Sequence, residues 1–290
     1  MKNPTRFFAI FVLLLILIVG CQSTSPSSVI PTLIPTYTIQ PPSAPILTTV
    51  TYVGNSGFLI AVGDKKILID SLFEGFPDSY HLPSTEVEDI LNATPPFDQI
   101  DLVLATHSHA DHFDAVLVRQ YLDNNPEVTF ASTAQVTALL PDIEDRVITL
   151  DANTGNPAKV DINGIHVEAI YLSHGIPSDG SVEVINNAYL VKVNGVIFFH
   201  SGDMYPSLLP HEIIQTNNLS GQNIDFAFMQ HFRLSNPAFP GFMNDVIQSK
   251  YVIASHYELA GEVEVENIKQ YYPDVVIFSK EMQTWQMPGK

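Results

Sequence analysis

In the stretch Thr106-His107-Ser108-His109-Ala110-Asp111-His112-Phe113, three histidines and an aspartate fall within six positions, directly behind the apolar run Leu102-Val103-Leu104-Ala105. Such a run reads as a buried strand, so the four polar side chains are delivered together at a strand end. His107 and His109, at alternate positions of an extended segment, can point the same way toward one ion. Asp111 and His112, a turn further on, can face a second. Imidazole and carboxylate donors suit zinc first, with manganese or iron also served. A solvated polar loop is the competing account, and it does not explain so many imidazoles behind a core strand.

The elements that must position this loop are short. Leu47 to Val53, Phe58 to Val62 and Ile67 to Asp70 are β-branched and apolar, and Gly54-Asn55-Ser56-Gly57 and Gly63-Asp64-Lys65-Lys66 turn between them, which predicts an antiparallel meander. Phe73 to Pro96, rich in proline and acids, reads as a surface excursion and a candidate lid. The strand Ile100 to Ala105, the histidine loop and a helix from about Phe113 to Leu122 follow. Strands are expected at Val128–Ala131, Val147–Leu150 and Gly164–Tyr171, with a helix over Thr133–Leu140. The Asn194-Gly195 turn pairs Ala188–Val193 with Val196–Phe199 as a hairpin. Ile224–Met229 and Lys250–Ser255 are further strands, then a helix over Val263–Tyr271 and a strand over Val275–Phe278. Polar residues recur at strand ends: His174, the His200-Ser201-Gly202-Asp203 turn, His231 and His256. Many short strands with helices between them predict two sheets packed face to face with helices outside.

Acidic residues outnumber basic ones 31 to 13 in the 290-residue chain, for a formal charge of −18. That field repels phosphate backbones, and no run of Lys or Arg interrupts it, so nucleic acid is not an expected partner. The hydrophobic fraction of 46% suffices for a sizeable core. The single cysteine, Cys21, excludes an intramolecular disulfide. Lys2 and Arg6, the apolar stretch Phe7 to Val19 and the sequence Ile18-Val19-Gly20-Cys21 resemble the signal and lipobox of bacterial lipoproteins, in which Cys21 would carry the lipid. Residues 1–20 are then a signal peptide and 21–45, rich in Pro, Ser and Thr and free of charge, a semi-rigid tether. Residues 46–290 form one domain, expected at the cell envelope and facing away from the cytoplasm.

The set His107, His109, Asp111, His112, His174, Asp203 and His256 resembles the metallo-β-lactamase superfamily. The first motif, H-x-H-x-D-H, is matched in full, and the later ones arrive in order from Tyr52-Val53-Gly54 to Met287-Pro288-Gly289. The resemblance implies an α/β fold of the αββα sandwich type. It implies one metal site from His107, His109 and His174, a second from Asp111, His112 and His256, and Asp203 bridging both. The meander start and the Phe-His-Ser-Gly-Asp and Ser-His-Tyr contexts look most like the branch of the ascorbate-6-phosphate lactonase and the N-acyl-phosphatidylethanolamine phospholipase D. Asn55 departs from it, since that branch often has His in its Gly-His-x-Gly turn. The flavodiiron branch, with Glu at the position of His109, and the true β-lactamases, with a substrate-carboxylate lysine motif, fit less well.

Two divalent ions about 3.5 to 4 Å apart can share a water, lower its pKa toward about 7 and polarise a scissile oxygen, so no Ser, Cys or Lys nucleophile is required. The expected function is dinuclear hydrolysis of an ester-type bond, phosphodiester or lactone, in a small-molecule or lipid substrate, with Asp111 and Asp203 most sensitive to substitution. The alternative is a non-catalytic metal-binding or scaffold lipoprotein. His200 and His231 are candidates to support a ligand or touch substrate. His81, His166 and His211 read as solvated or structural, and the aromatic stretch Phe232 to Phe242 as core or pocket wall.

Overall fold

A computed structural model describes residues 46–76, 79–82, 84–143, 145–175, 182–205, 219–257 and 264–289. The expected signal and tether, Cys21 and His211 lie outside them. Among the described residues no helix is long and apolar enough to cross a membrane.

The opening meander forms as expected: β1 (Thr48–Gly54), β2 (Gly57–Val62) and β3 (Lys65–Ile69) pair antiparallel in sequence. The chain then leaves the sheet, folds α1 (Ser84–Leu91) within the excursion, and returns as β4 (Leu102–Leu104), parallel to β3. A crossover through α2 (Ala115–Asn124) leads to β5 (Thr129–Ser132), and α3 (Ala134–Thr137) leads to β6 (Val147–Thr149), both strands again parallel. Asp114 starts α2 as its N-cap, accepting from the Leu117 amide at 2.8 Å. The second sheet repeats the plan. The strands β7 (Ala158–Ile162), β8 (Ile165–Tyr171), β9 (Asn187–Val193) and β10 (Val196–His200) are antiparallel neighbours, and β11 (Phe226–Gln230) and β12 (Tyr251–Ser255) continue parallel to β10. Finally β13 (Thr284–Gln286) closes the edge of the first sheet against β1.

Side-chain alternation sorts the residues of the first sheet to two buried faces. Phe58, Ile60, Val62, Ile67, Ile69, Leu102 and Leu104 join the core that the second sheet also fills, while Leu59, Leu68, Val103 and Phe130 meet Val118, Tyr121 and Leu122 of α2 on the other side. Phe58 spans the two sheets, its ring centroid 4.3 Å from that of Phe228. Three helical segments, α4 (His231–Leu234), α5 (Phe239–Phe242) and α6 (Val265–Tyr271), add Leu234, Phe239 and Ile268 to the same core. The αββα sandwich expected from the sequence is the architecture observed.

Because β3 to β6 are parallel, and β10 to β12 likewise, their carboxyl ends gather at one pole, where ligand sites of such sheets collect. The described chain begins at the other pole. Gly63, in the β2–β3 turn, donates to Leu47 O at 2.9 Å, and Met287, just past β13, donates to Thr48 O at 3.0 Å. The seven residues of β1 separate the poles by about 20 Å.

Three expectations shift. The apolar run Val275–Phe278 makes only an isolated bridge, Ile253 with Val276, because it meets β12 at one point. The strands β7, whose Ala-Lys-Val-Asp-Ile alternates over only five residues, and the three-residue β13 were not anticipated. The helix over Thr133–Leu140 shortens to α3, with Leu139 and Leu140 closing tighter i→i+3 turns behind it.

Candidate metal centre

The seven residues anticipated as ligands converge from four strand ends. His107, His109, Asp111 and His112 follow β4, His174 follows β8, Asp203 follows β10 and His256 follows β12. They form two groups, His107, His109, His174 and Asp203 in one and Asp111, His112 and His256 in the other, with donor atoms within 4.8 Å of one another in each. Asp203 lies between the two. Its Oδ2 is 3.8 Å from His107 Nε2, 3.6 Å from His174 Nε2, 3.4 Å from His112 Nε2 and 2.9 Å from His256 Nε2. Asp111 Oδ2 stands 3.5 Å from His112 Nε2 and 3.7 Å from His256 Nε2.

A layer of buried polar groups sets which ring nitrogens face inward. Asp70, fully buried at the end of β3, accepts from His112 Nδ1 at 2.8 Å and from the Thr106 amide and hydroxyl at 2.7 Å each. With its proton given to Asp70, the Thr106 oxygen is left to accept from His107 Nδ1 at 3.0 Å. Both histidines therefore carry hydrogen on Nδ1 and present the Nε2 lone pair to the centre, the carboxylate–histidine arrangement that suits metal ligation. Asn186 accepts the Asp203 amide at 3.0 Å and donates to Leu172 O and Ser201 O, so one buried side chain ties the His174 and Asp203 turns together. Gly202 has φ +53 and its missing Cβ would collide with Asn186 Oδ1, so only glycine fits the turn before Asp203. Gln230 Nε2 donates to Asp203 Oδ1 at 3.2 Å, leaving Oδ2 for the centre.

The donor set fits a pair of cations. Asp111 Oδ1, His112 Nε2, His174 Nε2 and His256 Nδ1 are buried without a hydrogen-bond partner among the described residues, which costs about 1 to 3 kcal/mol per group unless something else binds them. Burial, together with the imidazole of His112, holds His107 well below the ordinary imidazole range, and burial beside His174 lowers His109. Burial also opposes charge on His112, yet Asp203 and Asp70 outweigh it and carry that ring well above the ordinary value. His256 is raised against its own burial, chiefly by Asp203. Burial opposes ionisation of Asp203 too, and His112 and His256 override it, keeping the carboxyl well below the usual carboxylate range. Removed from water, these imidazoles and carboxylates are the balance a divalent ion would replace.

The family profile described as the Beta-lactamase superfamily domain matches residues 49–220. The chain belongs to the beta-lactamase superfamily. A UPF0173 metal-dependent hydrolase of Pyrococcus furiosus is 34% identical over 161 residues, 54% of this chain and 61% of that protein. One from Thermococcus kodakarensis is 29% identical over 213 residues, covering 72% and 84%. The chain thus spans about three fifths of the Pyrococcus relative. Among solved structures, the isothiocyanate hydrolase from Delia radicum gut bacteria superposes with a TM-score of 0.57 at 14% identity, covering 83% of this chain and all of that one. A metal-dependent hydrolase from Parabacteroides distasonis gives 0.55 at 17% identity, covering 82% and 94%. At these identities the two structures speak for the fold alone.

Against this superfamily frame the departure at Asn55 has a structural account. Asn55 Nδ2 donates to both the carbonyl of Asp111, at 2.8 Å, and its Oδ2, at 3.1 Å, and the Asn55 carbonyl accepts the His256 amide at 3.0 Å. His200, anticipated near the ligands, bonds Ser56 O through Nε2 and accepts the Gly202 amide on Nδ1, so it braces the Asp203 turn rather than facing the centre. His231 packs against Phe232 and Tyr257 and belongs to neither donor group. His166 pairs with Asp161, and His81 meets the carbonyl of Glu74. The excursion carries Tyr80 to the mouth, 5.4 Å from the His256 ring by centroids, and Gly75 donates to Ala110 O at 2.8 Å. The aromatic stretch divides, with Phe239 buried and Phe232 exposed beside His256. Asp70, Thr106, Asn186, Gln230 and Arg233 were not singled out from sequence. The only local signal was Asp70 closing an apolar strand.

Proposed function

We propose that the chain is a dinuclear metal-dependent hydrolase that cleaves an ester-type bond, phosphodiester or lactone. The observation that carries the reading is Asp203 Oδ2, which lies within 3.8 Å of four imidazole nitrogens drawn from both donor groups. His107, His109 and His174 would hold one ion and Asp111, His112 and His256 the other, with Asp203 shared. Zinc suits the donors best, then manganese or iron. When bound, such a pair lowers the pKa of a water toward about 7 and polarises a scissile oxygen. The protein's own part is orientation: Asp70 and Thr106 fix the His112 and His107 rings, Asn55 steadies Asp111, and Gln230 turns Asp203 so that Oδ2 faces inward. The relatives' name, metal-dependent hydrolase, supports the reading, and the sequence contexts noted above favour the lactonase and phospholipase D branch.

Metal analysis of the full chain, followed by assay with zinc, manganese and iron on bis(p-nitrophenyl) phosphate, a simple lactone and a phospholipid, tests this. We expect about two ions per chain and turnover of at least one substrate, with Asp203→Asn lowering turnover by several orders of magnitude. Silence on all three with both sites filled would move the assignment to a metal-binding scaffold.

The same proposal puts the protein at the cell envelope, held by a lipid on Cys21. Its support is the apolar stretch Phe7 to Val19 ending at the single cysteine, with the charge-free tether behind it. Cys21→Ser should release the protein from the membrane fraction. Retention at wild-type levels would instead identify an uncleaved anchor.

A further inference from the structure

We propose that Arg233 binds an oxyanion of the substrate, a carboxylate or a phosphodiester group, at the mouth of the metal centre, and so selects esters carrying one negative charge. This rests on the hydrolase reading above.

Arg233 is tied directly into the centre. Its Nε donates to Gln230 Oε1 at 3.3 Å, and Gln230 in turn donates to Asp203 Oδ1 at 3.2 Å, two hydrogen bonds from guanidinium to the shared carboxylate. Nη2 donates to Met204 O at 3.2 Å. The guanidinium carbon lies 4.9 Å from the ring centroid of Phe232 and 5.4 Å from that of Tyr205. Phe232 stands edge-on to His256 at 5.6 Å, on the side of one donor group. Tyr205 packs over Gly175, beside His174 of the other. The cation therefore stands between the two groups, flanked by rings that are 40% and 44% exposed.

Among the described residues no carboxylate comes within ion-pair distance of the guanidinium, and the acid whose charge reaches it is Asp203, behind Gln230. Among the described residues two of its five N–H groups are bonded, and the guanidinium is partly withdrawn from water. A guanidinium of this kind recognises two oxygens of a carboxylate or phosphate at once. The neighbouring aromatic rings would cover an apolar or aromatic body attached to that anion.

The test titrates the metal-loaded full chain with three inert probes, 4-acetamidobenzoate, methyl phenyl phosphate and the neutral 4-acetamidobenzamide. Arg233→Met should weaken at least one charged probe about tenfold or more, the loss expected of a hydrogen bond to a charged group, and leave the neutral probe within twofold. Whichever charged probe responds identifies the anion. Metal content and melting temperature should stay at wild-type values. Arg233→Lys, which keeps the charge and the stem, should fold as wild type and recover part of the binding. In turnover, KM for 4-acetoxybenzoate should rise about tenfold more than KM for the neutral 4-acetoxybenzamide. Equal losses on charged and neutral probes, or no loss on either, would overturn the proposal and leave Arg233 as a brace for Met204. If the loaded chain hydrolyses no ester, the hydrolase reading fails while the titration still decides Arg233.

Discussion

Asp70 carries no metal-ligand motif, yet two rings of the candidate centre depend on it. It holds His112 directly and His107 through the Thr106 hydroxyl. Asp70→Asn keeps the shape while weakening the acceptor, so the His112 proton is no longer fixed on Nδ1. Metal affinity should fall about 10- to 100-fold, read by competition with a fluorescent chelator, with little change in secondary structure. The two donor groups were legible because three histidines and an aspartate within six positions leave few other uses. Asp70, Asn186 and Gln230 were not, since an acid or amide at a strand end is common and its partner is fixed only when strands far apart in sequence pair. Asp70 and Thr106 are 36 residues apart, and Gln230 and Asp203 are 27 apart. Asn55 was noticed as an irregularity, and the fold explains it as the residue that steadies Asp111 while receiving the His256 amide.

Among the elements, β2 and β11 do most to join the halves. Phe58 is fully buried, lies against Tyr52 of its own sheet and reaches Phe228 of the other. Phe58→Ala should cost about 3 to 5 kcal/mol, measured by chemical denaturation, because both sheets are too well packed to collapse into the space. The meander, the parallel strand behind the histidine loop and the Asn-Gly hairpin were readable from β-branched runs and turn residues, signals that act within a few positions. The strand β7 was passed over although Ala158 to Ile162 alternates. The edge strand β13 was not readable, because at three residues its pairing partner rather than its own composition makes it a strand. For the same reason Val275–Phe278, apolar enough to be a strand, stops at a single bridge.

For the molecule as a whole, the centre joins histidines whose proton affinities move in opposite directions. Metal-free His107 and His109 are lowered and hence neutral near pH 7, ready to ligate. His112 and His256 are raised and must each give up a proton first. Acid therefore competes more strongly for the group containing Asp111, His112 and His256. On lowering the pH from about 8 to about 5.5 at fixed metal-buffer strength, bound metal should fall first to about one ion and only then toward none. A single step that removes both ions together would refute the difference. The position of Leu47 at the pole opposite the centre adds a constraint of a different kind. Within the domain, the first described residues and the donor groups thus stand at opposite ends of β1. Immobilised on a bead through an amino-terminal tag, the protein should therefore turn over a dissolved ester as fast as the free chain, and a rate lost on immobilisation would refute that separation.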